Sequence, residues 1–204
     1  MVEHGKGSGN YARNCVTTSG APGKLERVLG RCPADGGKAG SGGSYSAGVV
    51  TLTPMSPHVW DAWRVASIRR YAGDMVRVGA WPAEDGESRA TSLFARLVPD
   101  GQSTAGHEFR SVVNESGETV GAIWMAPDAE AGRGAAFLWD IAIDPEHRGR
   151  GYGRAAMEAL EALVRALGYD AIRLHVFGDN DVARHLYRAV GYSETSVSMM
   201  KRLG

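Results

Sequence analysis

The spacing of apolar residues predicts alternating strands and helices from Val49 onward. Short β-branched runs predict strands, whereas apolar residues that recur every three or four positions predict helices. In chain order, the first half contains strand Val49–Leu52, a helix that begins at Ser56-Pro57, helix Ser88–Val98, strand His107–Val113 and strand Thr119–Met125. Residues 114–117 have the composition of a hairpin turn between the last two strands.

The second half begins with a strand over Ala135–Ile143, which is almost continuously apolar and therefore expected to be buried on both faces. The elements that follow are a long helix from about Ala155 to Leu167, strand Ala171–Phe177, helix Asp181–Val190 and strand Thr195–Lys201. A strand, a helix and a strand in succession favour a parallel crossover. The whole order predicts an α+β, or mixed α/β, fold.

The segment before Val49 differs in composition from the rest of the chain. Residues 1–48 hold 12 of the 28 glycines, and six basic against three acidic residues. Their apolar residues are too few to build a core. We therefore expect a flexible, disordered Gly/Ser-rich extension over 1–48 and one folded domain over 49–204. Cys15 and Cys32 lie in the extension, with no histidine or cysteine at the close spacing of a metal site.

Overall charge and hydropathy exclude several classes of partner. The chain has 23 basic and 23 acidic residues, whereas binding to a nucleic-acid backbone requires a basic excess, so we expect no nucleic-acid partner. No apolar run reaches the ~18 residues of a transmembrane helix, so we expect no membrane partner. The chain also shows no charged-then-apolar signal at its start, and we expect a cytoplasmic protein.

A loop rich in glycine and arginine separates the buried strand from the long helix. Residues 144–154 read DPEHRGRGYGR. Gly149, Gly151 and Gly153 leave backbone N–H groups uncovered, and the start of the helix adds a partial positive charge. Together these features predict a phosphate site. Three arginines can add charge-assisted hydrogen bonds, namely Arg148, Arg150 and Arg154.

Two common phosphate-binding motifs do not match this loop. A P-loop requires Gly-Lys-Ser/Thr where the chain has Gly153-Arg154-Ala155, and a Rossmann motif that starts at Gly149 would require glycine in place of Arg154. The pattern Arg148-x-x-Gly151-x-Gly153 instead resembles the Arg/Gln-x-x-Gly-x-Gly/Ala signature of the GCN5-related N-acetyltransferase (GNAT) superfamily.

A second motif strengthens the resemblance. Residues 180–192, NDVARHLYRAVGY, are similar to the Asn-x-x-Ala-x-x-Leu-Tyr…Gly-Phe/Tyr block of the same family. The resemblance covers roughly residues 49–203 and identifies 49–204 as a GNAT domain. It implies a central mixed β-sheet that is splayed between the family's fourth and fifth strands and flanked by α-helices. Here those two strands are Ala135–Asp144 and Ala171–Phe177.

The resemblance implies acetyl-CoA as co-substrate and no metal. The family's fourth strand pairs with the pantetheine arm, its glycine loop holds the pyrophosphate, and its last motif contacts the cofactor arm. The cofactor-binding residues implied here are Ile141, Ala142, Ile143, Arg148, Gly149, Arg150, Gly151, Tyr152, Gly153, Arg154, Asn180 and Ala183. The alternative role for Asn180 is a plain helix N-cap, and the two roles can coexist.

Three residues are candidates for catalysis. Tyr187 matches the family's general-acid tyrosine, and its ordinary pKa of ~10 keeps it protonated at neutral pH. The general base is less defined, because the fourth strand lacks the glutamate that some members use. Asp140, the only carboxylate in that apolar run, and His175 are the two candidates. The N–H of Ala142 is a candidate to polarise the thioester carbonyl.

The implied reaction is direct attack by an amine on acetyl-CoA in a ternary complex, with a small molecule that carries a primary amine as acceptor. Two alternatives remain open at this point. The acceptor can be a protein N-terminus or a lysine, or the domain can be an acyl-CoA sensor without turnover. Family members often form homodimers, so a homodimer is also compatible with the resemblance.

Overall fold

A six-stranded mixed sheet with helices on both faces forms the fold. The structure is a computed structural model that describes residues 42–130, 134–201 and 203. Its strands are β1 Tyr45–Ala47, β2 Val50–Pro54, β3 Glu108–Asn114, β4 Thr119–Pro127, β5 Ala135–Ile143 and β6 Ala171–Leu174. Its helices are α1 Pro57–Arg77, α2 Gly86–Leu97, α3 Tyr152–Ala166 and α4 Asp181–Ala189, with single 3₁₀ turns at Gly101–Ser103 and Pro145–His147.

The strands lie side by side in chain order. Neighbouring strands from β1 to β5 are antiparallel, with α1 and α2 inserted between β2 and β3, whereas β5 and β6 are parallel and are joined through α3. This arrangement confirms the predicted mixed fold and its parallel crossover.

Each face of the sheet has its own apolar cluster. On one face, Leu138 and Ile141 of β5 pack with Leu160 and Leu163 of α3. On the other face, Trp139 packs with aromatic residues of α1 and α2. The amphipathic pattern of α3 explains its place, since its buried residues recur at helical spacing and its charged residues face outward. The site described below lies where these two layers meet at β5.

Three sequence predictions need correction. Strand β1 lies within the segment assigned to the extension, and it was missed because three residues are too few to show alternation. Strand β6 ends at Leu174 rather than Phe177, because pairing with β5 stops there. The strand expected at Thr195–Lys201 is absent from the described residues, and side chains such as Met199, which is 92% exposed, bury too little apolar surface to hold one there.

Residues 1–41, and with them Cys15 and Cys32, lie outside the described part of the chain. Over the described residues, no helix combines the length and the apolar character needed to cross a membrane.

Candidate active site

The edge of β5 that faces β6 is open over half its length. Strand pairing between β5 and β6 runs only from Ala135 to Leu138 on the β5 side. Beyond that point, residues 139–143 of β5 pair with β4 alone among the described strands. The two parallel strands therefore diverge, and they leave backbone groups of Ile141, Ala142 and Ile143 beside a gap.

A β-bulge at Trp139 controls which face receives the next side chain. Trp124 of β4 is paired with Asp140, and Met125 is paired with Leu138, so Trp139 is the extra residue. Leu138 belongs to the α3 face and Trp139 to the α1 face, as normal alternation requires. The extra residue breaks the alternation, so that Asp140 also points to the α1 face.

Helix α1 binds the carboxylate of Asp140 through three donors. Trp63 Nε1 donates at 3.1 Å, Ser67 Oγ at 3.2 Å and Arg70 Nη2 at 2.5 Å, and all three bonds go to Oδ2. The donors are four and three residues apart and so share one face of the helix. Asp140 is only 3% exposed, and burial raises its pKa, while Arg70 and the hydrogen bonds oppose that rise.

Tyr187 of α4 lies on the other face of the sheet, in the apolar cluster that includes α3. It is 3% exposed, and its hydroxyl has no hydrogen-bond partner within the described chain. Burial raises its pKa well above the usual value, and the charges of Tyr192 and Asp140 raise it further. The influence of the Asp140 charge on Tyr187 indicates that the two groups interact electrostatically. The phenol therefore stays protonated at neutral pH.

Most of the buried polar atoms without a partner in the described chain belong to α1, β5 and Tyr187. Eight such side-chain atoms occur in the described residues, and six belong to α1, β5 and Tyr187. The six are Arg70 Nε, Tyr71 OH, Asp74 Oδ2, Trp139 Nε1, Asp140 Oδ1 and Tyr187 OH. Since buried polar groups are almost always hydrogen-bonded, such a cluster is typical of a place that receives a polar ligand or ordered water.

The glycine loop lies at the end of the open strand. Gly149 and Gly151 have φ values of 74° and 83°, a left-handed conformation that side chains with a Cβ rarely adopt. Gly151 precedes α3, and no side chain caps the first turn of that helix in the described structure. A Cβ on Gly153 would lie 3.3 Å from Leu186 Cδ2, so the start of α3 lies close to α4. These features fit a pyrophosphate group.

The three predicted arginines of the loop have different surroundings. Arg148 Nε donates to the carbonyl of Ile143 at 2.9 Å and thereby holds the loop against the end of β5. Arg154 Nη1 donates to the carbonyl of Ala189 at 3.2 Å, at the end of α4. The Arg150 side chain is exposed. Two of these arginines thus also connect the loop to the elements on either side of it.

Asn180 and Ala183 occupy the first turn of α4. Asn180 Oδ1 accepts from the Ala183 N–H at 3.1 Å, which is the capping role, and Ala183 is fully buried. His175 lies just beyond β6, and its ring packs edge-on against Phe177 with centroids 5.7 Å apart. The described residues contain no group of three histidine, cysteine, aspartate or glutamate side chains arranged to hold a metal.

Sequence reasoning missed the residues that α1 supplies. Trp63, Ser67 and Arg70 are 77, 73 and 70 positions away from Asp140 and carry no motif. The available signal was a serine and an arginine on the apolar side of a helix that also carries tryptophan. That pattern indicates a buried polar partner without identifying it.

Comparison with known proteins identifies the family of the chain. A family model described as the acetyltransferase (GNAT) family matches residues 75–192, which include the loop, Asp140 and Tyr187. The chain is 32% identical over 154 residues to the uncharacterized N-acetyltransferase YycN of Bacillus subtilis, covering 76% of this chain and 99% of YycN. The crystal structure of YycN gives a TM-score of 0.72 over 76% of this chain and 98% of that one.

A shorter match comes from the mycothiol acetyltransferase of Propionibacterium freudenreichii. It is 34% identical over 76 residues, which make up 37% of this chain and 24% of that protein. The family match covers more than half of the chain, and YycN matches over three quarters of it. The resemblance drawn from the two motifs is therefore confirmed, and this chain is an acyltransferase of the GNAT acetyltransferase family.

Proposed function

We propose that the protein transfers the acetyl group of acetyl-CoA to the primary amine of a small molecule, by direct attack in a ternary complex. One observation carries this proposal. The stretch of β5 without a β6 partner carries the buried carboxylate of Asp140, and α4 carries the buried phenol of Tyr187; each of these two side chains has an oxygen without a partner in the described chain. Such a pair suits a reaction that takes protons from one atom and gives a proton to another.

The co-substrate fits along the open strand and the loop. The pantetheine arm would pair, as a further strand does, with those backbone groups of Ile141, Ala142 and Ile143 that are not already bonded to β4 or to Arg148. The residues 148–154 would hold the pyrophosphate with backbone N–H groups and arginine side chains. Asn180 and Ala183, at the start of α4, would contact the arm, and the small size of Ala183 lets that helix lie close. Bound acetyl-CoA supplies the activated thioester.

Tyr187 would act as the general acid. When the amine nitrogen forms its bond to the thioester carbon, the carbon–sulfur bond breaks and the CoA sulfur leaves as a thiolate. The Tyr187 hydroxyl donates its proton to that sulfur, and the phenolate is reprotonated by solvent. Burial raises the Tyr187 pKa, so the phenol would remain protonated until the sulfur begins to leave and would donate its proton as the carbon–sulfur bond breaks.

Asp140 would accept the proton of the acceptor. An amine reaches the site largely as an ammonium ion, and it must lose a proton before its lone pair can attack. The free oxygen Oδ1 would bind the ammonium and take that proton, and the second proton, which the nitrogen loses once its bond to the acetyl carbon has formed, would pass to solvent. We favour Asp140 over His175 as the base, because Asp140 is buried and has an oxygen without a partner in the described chain.

The test is turnover of acetyl-CoA with purified protein. Free thiol release is followed with three acceptor groups, namely small primary amines, peptides with a free N-terminus and peptides with an internal lysine, and products are identified by mass. Acetylation of a small amine that Asp140→Asn abolishes supports the proposal. Acetylation of peptides alone would replace it with a protein acetyltransferase. Calorimetric binding of acetyl-CoA without turnover on any amine would overturn it in favour of a sensor.

A further inference from the structure

The ion pair between Arg70 and Asp140 differs from the other described ion pairs of α1 in its burial. The side chains of Arg70 and Asp140 are 19% and 4% exposed, and Nη2 lies 2.5 Å from Oδ2. Arg69, the preceding residue, pairs instead with Glu87 at 3.6 Å, and both of those side chains are 67% exposed. An exposed pair of that kind contributes little, whereas a buried guanidinium strongly affects the carboxylate that it contacts.

We propose that Arg70 is the positioning residue of the acceptor site: it holds the Asp140 carboxylate by one oxygen and leaves the other oxygen free for the substrate ammonium ion. This inference rests on the proposed function, since it concerns how Asp140 performs its part of the transfer. In this role Arg70 acts through Asp140 and not directly on the acceptor or the thioester.

The orientation of the carboxylate supports this role. Arg70, Ser67 and Trp63 all bind Oδ2, so that Oδ2 is saturated while Oδ1 has no partner among the described residues. A carboxylate that is free to rotate would share its donors between both oxygens. Because the three donors come from successive turns of one rigid helix, the carboxylate is held in a single orientation.

The charge of Arg70 has a separate effect. The two neutral donors can orient Asp140, but burial alone favours its protonated form, which cannot bind an ammonium ion or take its proton. Arg70 is the cation that opposes this effect, and Tyr187 of α4 is the titratable group on the other side of the sheet whose pKa the Asp140 charge affects. The charge of Arg70 also acts on Asp74, which is paired with Arg77, and on Asp144, on which His147 and Arg148 act as well.

The experiment compares Arg70→Lys with Arg70→Gln. Both variants shorten the side chain and keep a hydrogen-bond donor, but only lysine keeps the charge. The readout is the pH dependence of kcat/KM with the best amine acceptor. We expect the acidic limb of Arg70→Gln to move to higher pH by ~1–3 units, the usual effect of removing an opposite charge at this range. Arg70→Lys should keep the limb near its wild-type position, even if its overall rate is lower.

Controls separate a positioning role from a purely structural one. Arg69→Gln, an adjacent and exposed change of the same kind, should leave the profile unchanged. Ser67→Ala keeps the charge and removes one hydrogen bond that lowers the Asp140 pKa, so it should move the limb less than Arg70→Gln does. A uniform fall in rate with an unmoved limb in Arg70→Gln would overturn the proposal. So would an equal displacement of the limb in Ser67→Ala and, if Arg70→Gln does not fold, a limb of Arg70→Lys that is displaced by ~1–3 units although the charge is kept.

A second measurement needs no turnover and so distinguishes the failure of this inference from that of the proposed function. The ¹³C chemical shift of the Asp140 carboxyl, followed by NMR against pH in the protein without substrates, reports its protonation directly. We expect Asp140 to titrate at higher pH in Arg70→Gln than in Arg70→Lys. Identical titrations would overturn the inference, whether or not the protein acetylates an amine.

Discussion

The two oxygens of Asp140 have unequal surroundings, and this inequality defines the chemistry available at the site. Oδ2 accepts three hydrogen bonds from α1, while Oδ1 accepts none from the described chain. In water a carboxylate exchanges its two oxygens freely by rotation. Here rotation would exchange the saturated oxygen for the unsatisfied one and break three hydrogen bonds, each of which contributes roughly 1 kcal/mol or more. The free oxygen therefore stays directed at one place.

Tyr187 offers the first prediction at the scale of single residues. Tyr187→Phe removes the hydroxyl and keeps the ring that packs in the core. We expect kcat to fall by ~10²–10⁴-fold, the usual contribution of a positioned acid, while the affinity for acetyl-CoA changes little. Steady-state kinetics at neutral pH, combined with calorimetric titration of acetyl-CoA, measures the two quantities separately.

Tyr192 is the matched control for that variant. Its ring centroid lies 5.7 Å from that of Tyr187, and its hydroxyl is likewise buried without a partner in the described chain. Tyr192→Phe should therefore reproduce any effect of losing a buried hydroxyl while leaving kcat close to the wild-type value. Equal rate losses in the two variants would argue that Tyr187 acts through packing rather than as an acid.

His107 provides a pH-dependent prediction for stability. Its Nδ1 accepts a hydrogen bond from Trp124 Nε1 at 2.9 Å, and burial lowers its pKa from 6.5 to about 4. The folded protein thus favours the neutral ring more than the unfolded chain does. The contribution is complete above pH 6.5 and is lost as the pH falls from 6.5 to about 4, by on the order of 3 kcal/mol in total.

A variant that does not titrate isolates this contribution. His107→Gln offers an oxygen to the Trp124 indole but has no charged form. The free energy of unfolding, from urea melts between pH 4 and pH 7.5, should favour the wild type most at the upper end, and that advantage should shrink as the pH falls. A difference between the two proteins that is constant over this range would show that His107 does not titrate during unfolding.

At the scale of elements, the close approach of β4 and β5 depends on Gly121. A Cβ at this position would lie 2.3 Å from the carbonyl oxygen of Ala142, which is a backbone atom and cannot move alone. We expect Gly121→Ala to reduce the free energy of unfolding by at least ~2 kcal/mol, as overpacking does. Because Ala142 borders the gap, the same variant should also bind acetyl-CoA more weakly.

Gly73 is the matched control for Gly121. It lies within α1, is exposed, and a Cβ there would meet no atom within 4 Å. Gly73→Ala should therefore stabilise the protein by ~0.5–1 kcal/mol through lower backbone entropy in the unfolded chain. Chemical denaturation of the two variants in parallel should give changes in the free energy of unfolding of opposite sign. A loss of stability in both variants would contradict this interpretation.

The elements that could be predicted from the sequence are those whose own residues carry the signal. Helix α2 and helix α4 have clear apolar faces and start or stop residues, and their observed bounds differ from the predicted ones by at most two residues. Strand β1 and the end of β6 were predicted wrongly, because pairing with a neighbour determines both. The three residues of β1 pair with β2 although their own sequence pattern does not predict a strand.

At the scale of the whole molecule, the sheet is closed along most of its width and open at one place. Strand β3 has partners on both edges, whereas residues 139–143 of β5 have a strand on one edge only. If acetyl-CoA fills the gap, hydrogen exchange should slow in peptides that cover 139–143 when it is added. Peptides from Glu108–Asn114 serve as the internal reference and should not change. Equal protection of both strands would argue against binding in the gap.

The candidate site likewise combines residues that the sequence identifies with residues that it does not. The loop 148–154 and the block 180–192 are contiguous, so their residue types and spacing are visible in the chain. The contribution of α1 is not, since Arg70 meets Asp140 only after the sheet has formed between them. Asp140 was recognisable as a carboxylate in an apolar run, but its partner and its free oxygen depend on tertiary contacts.

The bulge at Trp139 determines to which face of the sheet the side chain of Asp140 points. One added residue places two successive side chains on the same face, and one residue fewer would direct the carboxylate into the apolar cluster under α3. When related sequences are aligned, an acid that appears shifted by one position along this strand can therefore occupy the same place in space. Conversely, an acid in the same column can face the opposite side. The functional equivalent of Asp140 in a related protein is therefore the acid whose side chain points to the same face of the sheet, and not the acid in the same alignment column.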